Sequence, residues 1–200
     1  SHSSVKALEA EIQQFSKAKA VLCVNSWTSG AIMMLRWLGV QEGDEVIVPA
    51  YTYSATALAV IHAGAKPIMV DVGEDFNISV NAIKSAITSK TKAILPVDFA
   101  GFPCDYEEIM QLVTTNEIQS QFVPTSSVQE KLGRILVIND AAHSLGALRC
   151  DVIREVVLPT GHVVAKALIA VFELAQETVL LGAAQARRCS ATTRRPSTRV

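Results

Sequence analysis

Five short runs, each almost wholly aliphatic or β-branched, limit what this chain can fold into: residues 20–24 (AVLCV), 45–49 (EVIVP), 66–72 (KPIMVDV), 92–98 (KAILPVD) and 134–140 (RILVIND). A strand with one face in water alternates apolar and polar residues, whereas a strand covered by helices on both faces is apolar throughout. Between the runs apolar residues recur at helical spacing: Val5, Leu8, Ile12 and Phe15; Ile32, Leu35 and Leu38; Ala57 to His62; Val80, Ile83 and Ile87; Ile109 to Val113. That alternation predicts an α/β domain with a mostly parallel sheet flanked by helices. Gly39, the Gly43-Asp44 pair, and Asn77 with Ser79 stand where helix ends, a turn and an N-cap are needed. Residues 115–133 are polar, lack a clear period and contain Pro124, so they are expected to form a surface loop or insertion.

The remaining composition narrows the class. Half the residues are hydrophobic and 18% are charged, enough apolar surface for a sizeable core. A net charge of −1 provides no overall field to attract nucleic acid or an anionic membrane. The longest apolar stretch, Val163 to Ala184, is broken by Lys166, Glu173, Gln176 and Glu177, too polar for a bilayer span. The four cysteines are far apart with no CxxC pair, which argues against a disulfide scaffold or a zinc knuckle and for a reducing cytoplasm. The opening residues read as an amphipathic helix, not a secretory leader.

The character changes near residue 147. Residues 1–147 carry eight Lys and two Arg, whereas 148–200 carry one Lys and seven Arg. The expected division is an α/β domain over 1–147 and a divergent segment over 148–200, helical at first and ending in a basic, disordered tail.

In an open parallel sheet, ligands sit beyond the carboxyl ends of the strands. After 20–24 come Asn25, Ser26, Trp27, Thr28, Ser29 and Gly30 and then a helix, so hydroxyls and orphan N–H groups meet at a helix N-terminus suited to a phosphate; the same residues also serve as ordinary caps. No GxxxxGK[ST] or GxGxxG motif is present. Tyr51 and Tyr53 follow the second run, where an aromatic either covers a flat heterocycle or fills the core boundary. Asp98 and Gly101 follow the fourth. Asp140 ends the fifth, a carboxylate partly desolvated by its position and needing a cation, a donor or a turn to cap, with His143 three residues on.

Taken in order, the blocks VKALEAEIQQF, AVLCVNSWTSGAI, LGVQEGDEVIVPAYTYSATALAVIHAGAKPIMVDV, IKSAITSKTKAILPVDFAGFPCDYEEI and VINDAAHSLGA resemble the N-terminal half of the DegT-type nucleotide-sugar aminotransferases. These are pyridoxal 5′-phosphate (PLP) enzymes of aspartate-aminotransferase fold. The resemblance implies that 1–147 is part of a PLP-transferase large domain. It further implies that Asp140 pairs with the pyridine nitrogen, His143 with the phenolic oxygen, Tyr53 stacks on the ring, and Thr28 and Ser29 hold the phosphate. It implies transfer of an amino group from an amino acid, glutamate by expectation, to a nucleotide-linked keto-sugar in polysaccharide, lipopolysaccharide or antibiotic-sugar synthesis, in a homodimeric parent.

Two departures accompany the resemblance. Trp27 stands where the family more often has a small residue, implying a reshaped phosphate loop or an indole offered to substrate. The family's anchoring lysine lies in a Ser-Phe-His-x-x-Lys-like segment followed by a Gly-Gly turn, and no such segment follows Asp140. Lys166, in HVVAKALIA, is the one lysine after Lys131 and has helical, apolar surroundings. The expectation is a truncated or frame-disrupted, inactive chain with no catalytic lysine. The alternatives are a sugar 3-dehydratase that replaces the lysine by histidine, and a non-catalytic partner subunit.

Overall fold

The computed structural model describes residues 2–16, 18, 20–144 and 147, together with the backbone of 156–157 and 163–165. Its centre is a four-stranded parallel sheet of β1 (Glu45–Pro49), β2 (Lys66–Val70), β3 (Thr91–Ile94) and β4 (Leu136–Val137), in the order β2-β1-β3-β4. β1 pairs with β2 in register from Glu45↔Lys66 to Pro49↔Val70. An isolated parallel bridge between Val97 and Asp140 extends the β3–β4 pairing toward the carboxyl edge.

The all-apolar strands follow from burial on both faces. On one face Val46, Val48, Ala93, Leu95, Leu136 and Ile138 pack with helices α2 (Trp27–Leu38) and α3 (Ser54–Ala63). On the other, Ile47, Ile94, Ile135 and Val137 meet α4 (Val80–Ala86), α5 (Tyr106–Val113) and α6 (Asn116–Gln121). Successive strand side chains point to opposite faces, so the inner strands are apolar along most of their length, whereas the edge strand β2 leaves Lys66 and Met69 exposed. α1 (His2–Ser16) precedes these layers, with Ile12 buried and Phe15 exposed.

Local capping matches the sequence signals. Gly39 ends α2 in the left-handed conformation (φ +77°), its N–H bonded back to Arg36 and Leu35. Ser79 caps α4 by accepting from the Ala82 N–H. Asn77 has a different task. Buried, it accepts from the Phe99 N–H and donates to the Phe102 and Pro103 carbonyls.

Three expectations are corrected. Residues 20–24 form no strand, because a strand exists only through inter-strand hydrogen bonds and none of the four sheet strands runs beside them; Leu22 is exposed. Residues 115–133 contain α6 and α7 (Ser127–Leu132), each opened by a hydroxyl cap, Thr115 and Ser126. Gln129 of α7 is fully buried: its amide donates to the Leu38 and Gly39 carbonyls and accepts from Thr125. Within 148–200, β5 (Val156–Val157) and β6 (Val163–Ala165) pair antiparallel where helix was expected, consistent with their β-branched valines. The rest of that segment, including Lys166 and the basic tail, lies outside the described residues.

Candidate active site at the carboxyl edge of the sheet

The direction of α2 fixes where its N-terminus lies. At its C-terminal end the Leu38 carbonyl accepts from Ser126 Oγ at 2.7 Å, and neighbouring Thr125 donates to Asp44 at 3.0 Å. Asp44 immediately precedes β1, so the end of α2 sits at the sheet edge where the strands begin. α2 therefore runs antiparallel to the strands. Its twelve residues span about 18 Å, comparable with the strands beside it, which carries the Ser26 turn to the edge where the strands end. The same edge holds Tyr51 and Tyr53 after β1, Asp98 after β3, and Asp140 and His143 after β4.

At that turn Ser26 is the N-cap: its Oγ accepts from the Ser29 N–H at 3.2 Å and donates to Ser29 Oγ at 3.0 Å. Thr28 and Ser29 are half-buried in the first turn. The first-turn N–H groups of this twelve-residue helix and its dipole favour an anion here. Trp27 is 8% exposed and packs in the core with Ala31, so the indole is not offered to solvent. Its Nε1 has no hydrogen-bond partner among the described residues.

Tyr53 occupies the N-cap position of α3 and is 81% exposed, its ring free to cover a flat ligand. Tyr51, Phe76 and Phe99 form a cluster with ring centroids 5.2–5.4 Å apart. Nothing in the sequence around Phe76 and Phe99 signals that they meet across 23 residues.

Asp140 is half-buried and bridged to the preceding strand end: its N–H donates to the Pro96 carbonyl at 2.8 Å, and its carbonyl accepts from the Asp98 N–H at 3.0 Å. Its Oδ1 accepts from the Ala142 N–H at 3.1 Å. Burial pushes the carboxyl up from 3.8 to about 6; the Ala142 N–H opposes the rise, Asp98 adds to it, and His143 opposes it. His143 is exposed on the turn that follows. Such a carboxylate favours a cation against it.

Asp98 carries a second carboxylate of opposite circumstance. It is 4% exposed and accepts from the Cys104 N–H at 2.9 Å, from Tyr106 Oη at 2.5 Å and from Ser144 Oγ. Burial, then the nearby Asp98 charge, raises both Cys104 and Tyr106, keeping them protonated. The sequence placed Asp98 at this edge, but nothing in it announced Ser144.

Among the described residues no group of three or more potential metal ligands occurs, and no helix is long and apolar enough to cross a membrane. Cys23 and Cys104 are free. Lys66 and Lys92 lie at the opposite sheet edge, near the starts of β2 and β3.

An open parallel sheet whose carboxyl edge gathers a helix N-terminal turn, an exposed ring and a desolvated acid is the arrangement in which α/β proteins hold their ligands. The chain belongs to the DegT/DnrJ/EryC1/StrS aminotransferase family, whose model matches residues 2–120. It is 40% identical to Spr1654 of Streptococcus pneumoniae, named as a sugar aminotransferase and solved in a PMP form, with a TM-score of 0.67 over 71% of this chain and 36% of that one. DesV of S. venezuelae is 31% identical with a TM-score of 0.59, covering 71% of this chain and 34% of that one. Uncharacterized protein MJ1066 of Methanocaldococcus jannaschii is 36% identical over 140 residues, 70% of this chain. The chain spans about a third (32%) of that relative's length. The family's cofactor is PLP: Spr1654 is solved in both PLP and PMP forms, and NtdA of Bacillus subtilis with bound PMP.

Proposed function

We propose that this chain is the cofactor-cradling part of a PLP-dependent aminotransferase that moves an amino group from an amino acid, glutamate foremost, to the keto group of a nucleotide-linked sugar. The single observation that carries the reading is Asp140, a half-buried carboxylate at the strand edge with one backbone donor and a proton affinity raised to about 6. A protonated pyridine nitrogen is the cation such a group lacks. The other donors fit the same group: the Ser26–Ser29 turn suits its phosphate and the exposed Tyr53 ring its flat face.

When bound, the cofactor supplies an electron sink for breaking the substrate Cα–H bond. The chain's own residues hold and orient it. Asp140 would keep the ring nitrogen protonated, His143 would hold the phenolic oxygen, Tyr53 would cover the ring and keep water from it, and Thr28 and Ser29 with the α2 N–H groups would fix the phosphate. The covalent lysine and the base for proton transfer are not among these residues, so the isolated chain is expected to bind cofactor without turning over.

Titrating the purified chain with pyridoxamine phosphate (PMP), followed by absorbance, tests the cradle: saturable one-to-one binding lost in Asp140→Asn is expected. Treating the PLP-loaded chain with borohydride and mapping the peptides tests the missing anchor. Absence of saturable binding overturns the first claim; a stoichiometric pyridoxyl group on one lysine overturns the second.

A further inference from the structure

Four contacts converge on the turn that carries Asp140 and His143, all from the segment that leaves β3. The Asp140 N–H donates to Pro96 and its carbonyl accepts from the Asp98 N–H. Ser144, directly after His143, donates its hydroxyl to the Asp98 carboxylate. Gly101, at φ +82°, lies so close that a Cβ placed there meets the His143 carbonyl oxygen at 2.7 Å. The turn itself is closed by the Ser144 N–H on the Ala141 carbonyl at 3.1 Å.

Asp98 has no need to be a carboxylate for stability alone, since a buried ionised group costs more than a well-packed apolar one unless its donors are well placed. Here three neutral donors arrive from three places: the 99–104 loop, the start of α5, and the turn beyond β4. Tyr106 and the Cys104 N–H anchor one oxygen to the body of the domain; the other oxygen holds Ser144.

We propose that Asp98 is a positioning residue: through Ser144 its buried carboxylate clamps the 141–144 turn and thereby fixes how Asp140 and His143 face the cofactor. This rests on the function proposed above, although the clamp itself is a property of the chain without cofactor. Releasing Ser144 lets the turn lift from the Gly101 loop and admits water to Asp140. Burial is a larger influence on Asp140 than the Ala142 N–H that also reports on the turn, so hydration lowers its proton affinity. The charged groups facing Asp140 are Asp98 and His143, and substitution at Ser144 leaves both in place.

The test follows the Asp140 carboxyl by carbon NMR in the aspartate-labelled full chain, without cofactor, across pH. Ser144→Ala is expected to lower its midpoint by about half a pH unit or more, and Ser144→Thr to restore it. Tyr106→Phe removes another donor from the same carboxylate but not the tie to the turn; it is expected to lower stability and leave the midpoint in place. PMP affinity is expected to fall roughly 10-fold in Ser144→Ala and to return in Ser144→Thr. An unmoved midpoint in folded Ser144→Ala, or equal shifts in Ser144→Ala and Tyr106→Phe, overturns the clamp. If Ser144→Ala does not fold, Ser144→Cys decides: its thiol is close in shape to the hydroxyl but a weak donor to Asp98, and an unmoved midpoint overturns the clamp equally. A wild-type chain that binds no PMP overturns the proposed function, and the midpoints still judge the clamp.

Discussion

Replacing Asp140 by asparagine should stabilise the chain while abolishing what the residue is proposed to do. Burial raises this carboxyl from 3.8 to about 6, so between those values the folded chain binds a proton that the unfolded chain does not. The stability associated with that proton is fully present below about pH 4 and is lost as pH rises through about 6. A rise of roughly two pH units corresponds to about 3 kcal/mol, which the cofactor-free chain forgoes at neutral pH by keeping the group ionised. The amide of Asp140→Asn has nearly the same shape, carries no charge, and keeps an oxygen to accept the Ala142 N–H.

The assay is thermal unfolding of cofactor-free wild type and Asp140→Asn from pH 4 to pH 8. The variant should gain on wild type between about pH 4 and pH 6 and hold a constant lead above pH 7. With roughly 2–4 °C per kcal/mol for a chain of this size, that lead is about 6 °C or more. Saturating PMP should reverse the order at pH 8, because binding stabilises only the chain that retains the carboxylate. A variant no more stable than wild type at pH 8, or a difference that does not change with pH, would refute the claim that Asp140 is held ionised at a cost the cofactor offsets.

Four stability predictions concern the frame that supports the site. Lys92 is 1% exposed; it donates to the Ser89 and Val123 carbonyls at 2.9 and 2.6 Å and lies 3.7 Å from Asp44, so Lys92→Met should cost about 3–5 kcal/mol in urea unfolding. Asp44→Asn added to Lys92→Met should then cost much less than Asp44→Asn alone, since the pair is already broken. Gly39→Ala should cost about 2 kcal/mol or more by the same measurement, because the residue sits at φ +77° and its new methyl meets Ser126 Cβ at 2.5 Å. Leu95→Ala, at a fully buried position in the α2-side core, should cost about 2–5 kcal/mol.

The sequence is most readable where a residue's environment is set by its own neighbours. The apolar run at 45–49 announces a strand buried on both faces, the run at 66–70 becomes the edge strand with Lys66 and Met69 exposed, and Gly39, Ser26 and Ser79 announce helix ends by the caps their types favour. Residues 20–24 are as apolar as those runs yet form no strand, because pairing depends on what lies beside the segment in space. Residues 115–133 carry the caps of two helices, but helices of six residues show too little period to register, and Gln129 is buried by bonds to carbonyls some ninety residues away.

Asp98 and Asp140 make the same point at the site. Each is an acid at the end of an apolar run, and in the sequence they look alike. Among the described residues the fold returns Cys104, Tyr106 and Ser144 to the first and the Ala142 N–H alone to the second. Saturation by neutral donors makes Asp98 a fixed part of the frame. The shortage at Asp140 leaves a carboxylate whose charge is best met by a cation from outside the chain. Because the donors that separate them come from residues six to forty-six positions away from Asp98, only the folded chain distinguishes the acid proposed to position from the acid proposed to bind.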